Sequence, residues 1–241
     1  MGTISRAYSE AARRGLITGE VGRGTFVRDS ADRHGEGLID LSQNHPPDPV
    51  AQPQRAALLG TLAELMSRGE LGRSLDYPAA GGNPDDRAAG AEWIARAGVI
   101  AGAEEVLLCT GSQHGLTVVL ATLLGPGDLL LAEELTYAGL KPVAGLLHFD
   151  LQGLPIDREG LLPDALAEAC RRGGAKALYL IPTLHNPTTA LMPESRRFEI
   201  VAIAREHGLA IVEDDVHGLL PEVRPRPIAA LAPERTYYLT S

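Results

Sequence analysis

The chain has 241 residues, of which 44% are hydrophobic and 22% charged, enough for one large core or for a large domain joined to a small one. A formal net charge of −9 argues against wholesale nucleic-acid binding. No uninterrupted apolar run of about 18 residues suggests a membrane span, and no basic-then-apolar segment after Met1 suggests a secretory signal, so the cytoplasm is the expected compartment.

The charge is uneven along the chain. Residues 1–33 hold six Arg against four Asp and Glu, a balance of +2, whereas the remainder holds 16 Lys and Arg against 27 Asp and Glu, a balance of −11. The N-terminal piece therefore presents a different kind of surface. Within it, "TISRAYSEAARRGL" (residues 3–16) is compatible with a helix ending at Gly15, and "LITGEVGRGTFVR" contains two short strand-like runs around Gly22, Arg23 and Gly24. The pattern predicts a helix followed by a β-hairpin. The next stretch, residues 29–53, is rich in Pro, Asp, Gly and Gln and shows neither helical nor strand period, so it reads as a linker and domain entry.

Beyond it, apolar strand-like runs alternate with helix-length segments. The runs are "VLLCT" (106–110), "LLLAE" (129–133), "LLHFD" (146–150), "ALYLIP" (177–182), "LAIVED" (209–214) and "YYLTS" (237–241). Continuous apolar strands separated by helices indicate an α/β fold with a mostly parallel sheet covered on both faces. Cys109 and Cys170, far apart and without metal-pair spacing, read as buried reduced thiols.

Ligands of such a sheet gather at the carboxyl ends of its strands, and three stretches there carry polar chemistry. In "CTGSQHGL" (109–116), a turn through Gly111 and Ser112 opens a helix whose free amides and hydroxyl suit an anion such as phosphate; small residues also simply make turns. In "LIPTLHNPTTALM" (180–192), Asn186 can offer an amide to a ligand oxygen or initiate an Asx-type turn before Pro187. In "AIVEDDVHG" (210–218), three acids end an apolar strand, where an ionised carboxylate is costly unless a positive group meets it. A solvated strand end is one reading. A metal site drawing on Glu213, Asp214, Asp215, His217 and His185 is another, although the spacing matches no ligand motif.

Taken together, the glycine-serine turn, Asn-Pro, an Asp at a strand end and Tyr137 after the second of these runs resemble the large domain of the fold type I pyridoxal phosphate enzymes, the class I and II aminotransferases, over residues 38–241. The resemblance implies pyridoxal 5'-phosphate as cofactor. It implies that Gly111, Ser112 and Gln113 form the phosphate cup, that Tyr137 stacks on the pyridine ring, that Asn186 donates to the ring hydroxyl oxygen and that Asp214 meets the protonated ring nitrogen. His217 stands where the family usually has a Tyr, three residues after that Asp. "LDYPAAGGNPDDR" (75–87) resembles the family's Tyr-Pro stretch, and Tyr77 matches a tyrosine that reaches the neighbouring subunit's cofactor, which implies a homodimer. In the family, the strand matching "TYYLTS" is soon followed by the Lys that anchors the cofactor; the sequence stops at Ser241, so no catalytic residue is assigned.

"SRAYSEAARRGLITGEVGRGTFVRD" (5–29) resembles the end of a GntR-type winged helix, with the second half of the recognition helix followed by the wing. Joined to an aminotransferase-like domain, this is the architecture of the MocR group of transcriptional regulators. The expected division is 1–28 for the partial winged helix, 29–53 for the linker and 54–241 for the cofactor domain. Arg6, Arg13, Arg14 and Arg23 would face DNA, or would be ordinary solvated Arg on a helix and turn. The expected function is that of a MocR-type regulator shortened at both ends, binding an amino acid or amine effector, with DNA recognition poor in this portion. The alternatives are a class I/II aminotransferase acting on an amino acid and a 2-oxo acid, or a product without independent function.

Overall fold

The computed structural model describes residues 2–14, 16–20, 24–27, 48–69, 72, 77 and 79–241. It divides into two compact units, Met1–Leu75 and Asp76–Ser241.

In the first unit, helix α1 (Gly2–Arg13) is followed by strands β1 (Ile17–Glu20) and β2 (Gly24–Val27), which pair antiparallel from Ile17↔Val27 to Glu20↔Gly24. The expected helix-then-hairpin is present. Arg13 and Arg14 both bond to Glu10, three and four residues back, where helical spacing puts them on one face. Helix α2 (Asp48–Ser67) begins inside the segment read as linker. The rest of that segment up to residue 47, like Arg23, lies outside the described residues.

The second unit is a five-stranded parallel sheet between helices. Helices α3 (Pro84–Ala95) and α4 (Ser112–Leu123) lead to β3 (Leu129–Glu133). Then come α5 (Leu140–Leu147), β4 (Asp150–Leu154) and a small antiparallel pair, β5 (Ile156–Asp157) with β6 (Gly160–Leu161). The chain continues through α6 (Pro163–Arg172), β7 (Ala175–Leu180), α7 (Glu194–Glu206), β8 (Ala210–Asp214), the short α8 (Ile228–Leu231) and β9 (Thr236–Leu239). The order is β4-β3-β7-β8-β9, and every neighbouring pair is parallel.

The apolar runs make this arrangement because both sheet faces are buried. Leu130, Ala132, Ala177, Tyr179 and Val212 pack under α4 and α5, while Leu131, Leu178, Leu180 and Ile211 pack under α6, α7 and α8. Successive side chains alternate between two cores, so neither face tolerates a polar interruption.

Two expected strands are absent. Residues 106–110 join no ladder: the Leu108 amide bonds Gly81 O, and the Thr110 amide bonds the His114 ring. Leu107 and Leu108 remain largely exposed, and so does Cys109, contrary to the expected buried thiol; Cys170 is buried. The run 146–150 contains a helix end and a strand start. Leu146 and Leu147 close α5, His148 takes a left-handed φ of 60° as its C-cap, and β4 begins only at Asp150. Leu147, Phe149 and Leu151 all pack against the core beneath α5, so an apolar run spanned the reversal.

Sheet order locates the crevice. The chain leaves β3 towards β4 on one side and, after α6, builds β7, β8 and β9 on the other, so the direction reverses between β3 and β7. Open α/β sheets bind ligands outside the carboxyl ends at such a switch point.

Candidate functional site

Three segments converge at that end of the sheet. Gly111 adopts φ 82°, a conformation that disfavours side chains, and no heavy atom lies within 4 Å of where its Cβ would stand. It opens α4 without a side-chain cap, leaving the first-turn N–H groups at Ser112 and Gln113 for a ligand. The Gln113 Nε2 donates to Gly139 O at 3.2 Å, and its Oε1 is buried without a hydrogen-bond partner. A Cβ on Gly139 would fall 2.3 Å from Tyr137 Cε1 and 2.5 Å from Gln113 Oε1, so glycine at 139 is what lets the ring and the amide meet. Tyr137 is half-buried and packs on the sheet face that also carries Tyr179.

Asp214 occupies that same face. The Tyr179 hydroxyl donates to Asp214 Oδ2 at 2.6 Å, and the carboxylate is only 8% exposed. Burial raises its pKa, opposed chiefly by the Tyr179 hydrogen bond and the Val216 amide, while Asp215 reinforces the rise. Among the described residues, no Arg, Lys or His lies within ion-pair distance of Asp214. A cationic N–H partner would therefore be favoured there.

The neighbouring acids point the other way. Asp215 accepts from the Tyr238 hydroxyl at 2.6 Å, and Glu213 accepts the backbone N–H groups of Ile228 and Ala229 at 2.9 and 2.7 Å. Gly218 lies so close to Asp215 that any Cβ would collide with the carboxylate. His217, half-buried, lies near enough to both Asp214 and Asp215 to favour their charged forms. Strand alternation thus divides the acidic triplet between the two faces, and among the described residues no group of three or more His, Cys, Asp and Glu is arranged to hold a metal ion.

Asn186 sits half-buried on the loop after β7, where its side chain hydrogen-bonds to no described residue. The loop is fastened from below: buried His185 lies 3.2 Å from buried Glu133 Oε2, its Nδ1 faces the Thr188 hydroxyl at 2.8 Å, and the Ile181 amide donates to Glu133. Tyr77 is fully exposed. Arg6 and Arg13 lie on α1 and Arg14 directly follows it, in the first unit.

Tyr179 and Arg197 are site neighbours that the motifs did not single out. Both had a signal. Tyr179 is a phenol inside an otherwise aliphatic strand, whose hydroxyl must find an acceptor. Arg197 shares the helical spacing of Ile200, Val201 and Ala204 and so lies on the buried face of α7.

The profile of the family described as aminotransferase class I and II matches residues 36–231. The chain belongs to this family. Similar proteins include the uncharacterized HTH-type transcriptional regulator YdeF of Bacillus subtilis (strain 168), 30% identical over 243 residues that cover 99% of this chain and 53% of that protein. Another is the 2-aminoadipate transaminase of Thermus thermophilus, 36% identical over 198 residues, covering 79% of this chain and 47% of that one. The crystal structure of LysN, the α-aminoadipate aminotransferase of the same bacterium in complex with N-(5'-phosphopyridoxyl)-L-leucine, superposes with a TM-score of 0.68 at 33% identity, over 78% of this chain and 48% of that chain. The chain therefore spans about half the length of the relatives it matches. The fold is that of the fold type I aminotransferases, as expected from the sequence.

Proposed function

We propose that this chain binds pyridoxal 5'-phosphate at the carboxyl end of its sheet and serves as the cofactor-dependent sensing part of a MocR-type transcriptional regulator. In this reading Gly111, Ser112 and Gln113 hold the phosphate with first-turn amides, Tyr137 covers the pyridine, Asn186 donates to the ring oxygen and Asp214 accepts from the ring N–H. His217, beside both acids, biases Asp214 towards its charged form. The observation that carries the cofactor reading is Asp214 itself, a buried carboxylate with a tyrosine donor and no described cation, on the face shared by Tyr137 and Tyr179. When bound, the cofactor supplies an electron-withdrawing pyridine that stabilises charge developing on an amino acid.

The regulatory half of the reading rests on the helix and hairpin of residues 2–27, and on a likeness to an HTH-type regulator that runs through almost the whole chain. Arg6, Arg13, Arg14 and Arg23 would meet DNA phosphates, with Glu10 orienting two of them. The protein would be cytoplasmic and homodimeric, Tyr77 reaching the partner's cofactor. Among the described residues, no helix is long and apolar enough to cross a membrane.

A second reading, an aminotransferase converting an amino acid and a 2-oxo acid, is favoured by the 36% identity to a 2-aminoadipate transaminase. The two readings separate in one experiment on the protein as its genome encodes it. A regulator binds its own upstream DNA, with an affinity that amino acids or amines change, and turns over amino donors slowly. Rapid transamination without DNA binding would overturn the regulatory reading in favour of the second.

A further inference from the structure

Arg197 is wholly buried in the first turn of α7. A guanidinium carries five donors and is rarely removed from water unless they are used. Here its Nε donates to Met192 O at 3.1 Å, Nη2 serves both Pro182 O at 2.9 Å and Thr183 Oγ1 at 3.0 Å, and Nη1 donates to Arg226 O at 3.1 Å. Pro182 and Thr183 precede Asn186, and Met192 follows it. The same planar group therefore grips both stems of the Asn186 loop, which the Met192 amide also closes on Pro182 O at 2.9 Å. On its other side, Arg197 Nη1 lies 3.8 Å from Glu213 Oε1. Glu213 precedes Asp214 and fastens that strand end to Ile228 and Ala229. Asp215, which follows Asp214, has the Thr183 hydroxyl and the Arg197 charge beside it.

We propose that Arg197 is a positioning residue for the cofactor: from the sheet face opposite the site, it locks the loop bearing Asn186 to the strand end bearing Asp214, so that both meet the pyridine ring in one fixed geometry. The inference rests on the cofactor reading given above. Lysine cannot replace it, because a single ammonium cannot reach carbonyls on three segments in one plane.

The test uses residues 1–241 carrying Arg197→Lys, Asn186→Ala or both. Pyridoxamine 5'-phosphate, which has no aldehyde to react with stray lysines, is titrated by calorimetry, and amide hydrogen exchange is followed over residues 183–191 with α6 as internal reference. Each single variant is expected to weaken binding about tenfold, the loss of one ligand hydrogen bond. The double variant should bind no more than about twofold worse than Asn186→Ala, because both changes remove one interaction. Exchange should rise in 183–191 and stay unchanged in α6.

Additive losses, wild-type binding by Arg197→Lys, or exchange rising equally in α6 would overturn the proposal. If the unsubstituted chain binds no pyridoxamine phosphate, the cofactor reading fails, and the positioning role fails with it only if loop exchange is also unchanged in Arg197→Lys. Should that variant not fold, Thr183→Val removes one acceptor of the clamp and is read in the same way.

Discussion

Tyr179 and Asp214 meet across adjacent strands: Tyr179 pairs with Val212, and Asp214 stands two residues further on the same face, 2.6 Å from the phenol oxygen. Tyr238 and Asp215 repeat the relationship across β8 and β9 on the opposite face, Tyr238 pairing with Glu213 two residues before Asp215. Asp214 and Asp215 are thus each held by a tyrosine from a neighbouring strand, but only Asp214 shares a face with Tyr137.

Tyr179→Phe removes the largest influence keeping Asp214 charged without altering the ring's packing. A buried acceptor that loses its donor costs about 1–3 kcal/mol, so the midpoint of urea unfolding should fall at unchanged slope. Pyridoxamine phosphate affinity should fall several-fold as well, because Asp214 would meet the ring N–H less often as an anion. Unchanged affinity would mean that the tyrosine serves the core alone.

Gly139→Ala addresses the other side of the site. The backbone there, φ −66° and ψ −15°, suits alanine, so strain from the main chain is not at issue. The added methyl collides with the Tyr137 ring and the Gln113 amide, an overpacking worth about 1–3 kcal/mol. Calorimetry should show weakened cofactor binding and a thermal midpoint lowered by about 2–4 °C per kcal/mol of that cost, whereas a variant that binds normally would remove Tyr137 from the site.

Only two lysines exist in the sequence, and neither stands by Asp214. Lys176 opens β7 at the far end of the sheet and bonds Asp128 at 2.7 Å. Lys141 is exposed on α5, which starts after Tyr137, so the two do not share a helical face. Borohydride treatment of residues 1–241 with pyridoxal phosphate should therefore leave no stoichiometric pyridoxyl-lysine, and amino donors should not be turned over. Peptide mass analysis checks this, and a full adduct on either lysine would refute it.

Stability should depend on pH through Glu213. Burial, reinforced by Asp215, lifts its pKa from 4.5 to about 7. A carboxyl whose folded pKa is raised favours the fold when protonated, so its contribution is complete below its unfolded pKa and is lost as pH rises through about 7. Asp214 and Asp215 shift in the same direction. The thermal midpoint should rise as pH falls from 8 to 5. Further acidification should reverse the trend as Glu234, held down at about 2 chiefly by Arg205, loses its charge. Differential scanning across this range should show the upper slope flattened in Glu213→Gln.

Much of this was legible because the buried strands speak through composition: "LLLAE", "ALYLIP" and "LAIVED" each became a parallel strand within about two residues of the expected bounds. The misreadings share a cause. An apolar run guarantees neither burial nor a ladder partner, so Leu107 and Leu108 stayed largely exposed outside the sheet, and 146–150 hid a change of direction at His148. At the site, turn residues and strand-end acids were visible as motifs. The alternation that separates Asp214 from Asp215 was also visible. The Glu133–His185 pair was not, and of Arg197 only its place on a buried helix face was, because the contacts of both join segments distant in the chain.

The most direct test of the account is the binding of pyridoxamine 5'-phosphate to residues 1–241, measured by calorimetry beside Asp214→Ala and Asp215→Ala. The account predicts saturable binding that Asp214→Ala abolishes and that Asp215→Ala largely keeps. Equal losses from the two substitutions, or a greater loss from Asp215→Ala, would contradict the placement of the cofactor on the Tyr179 face.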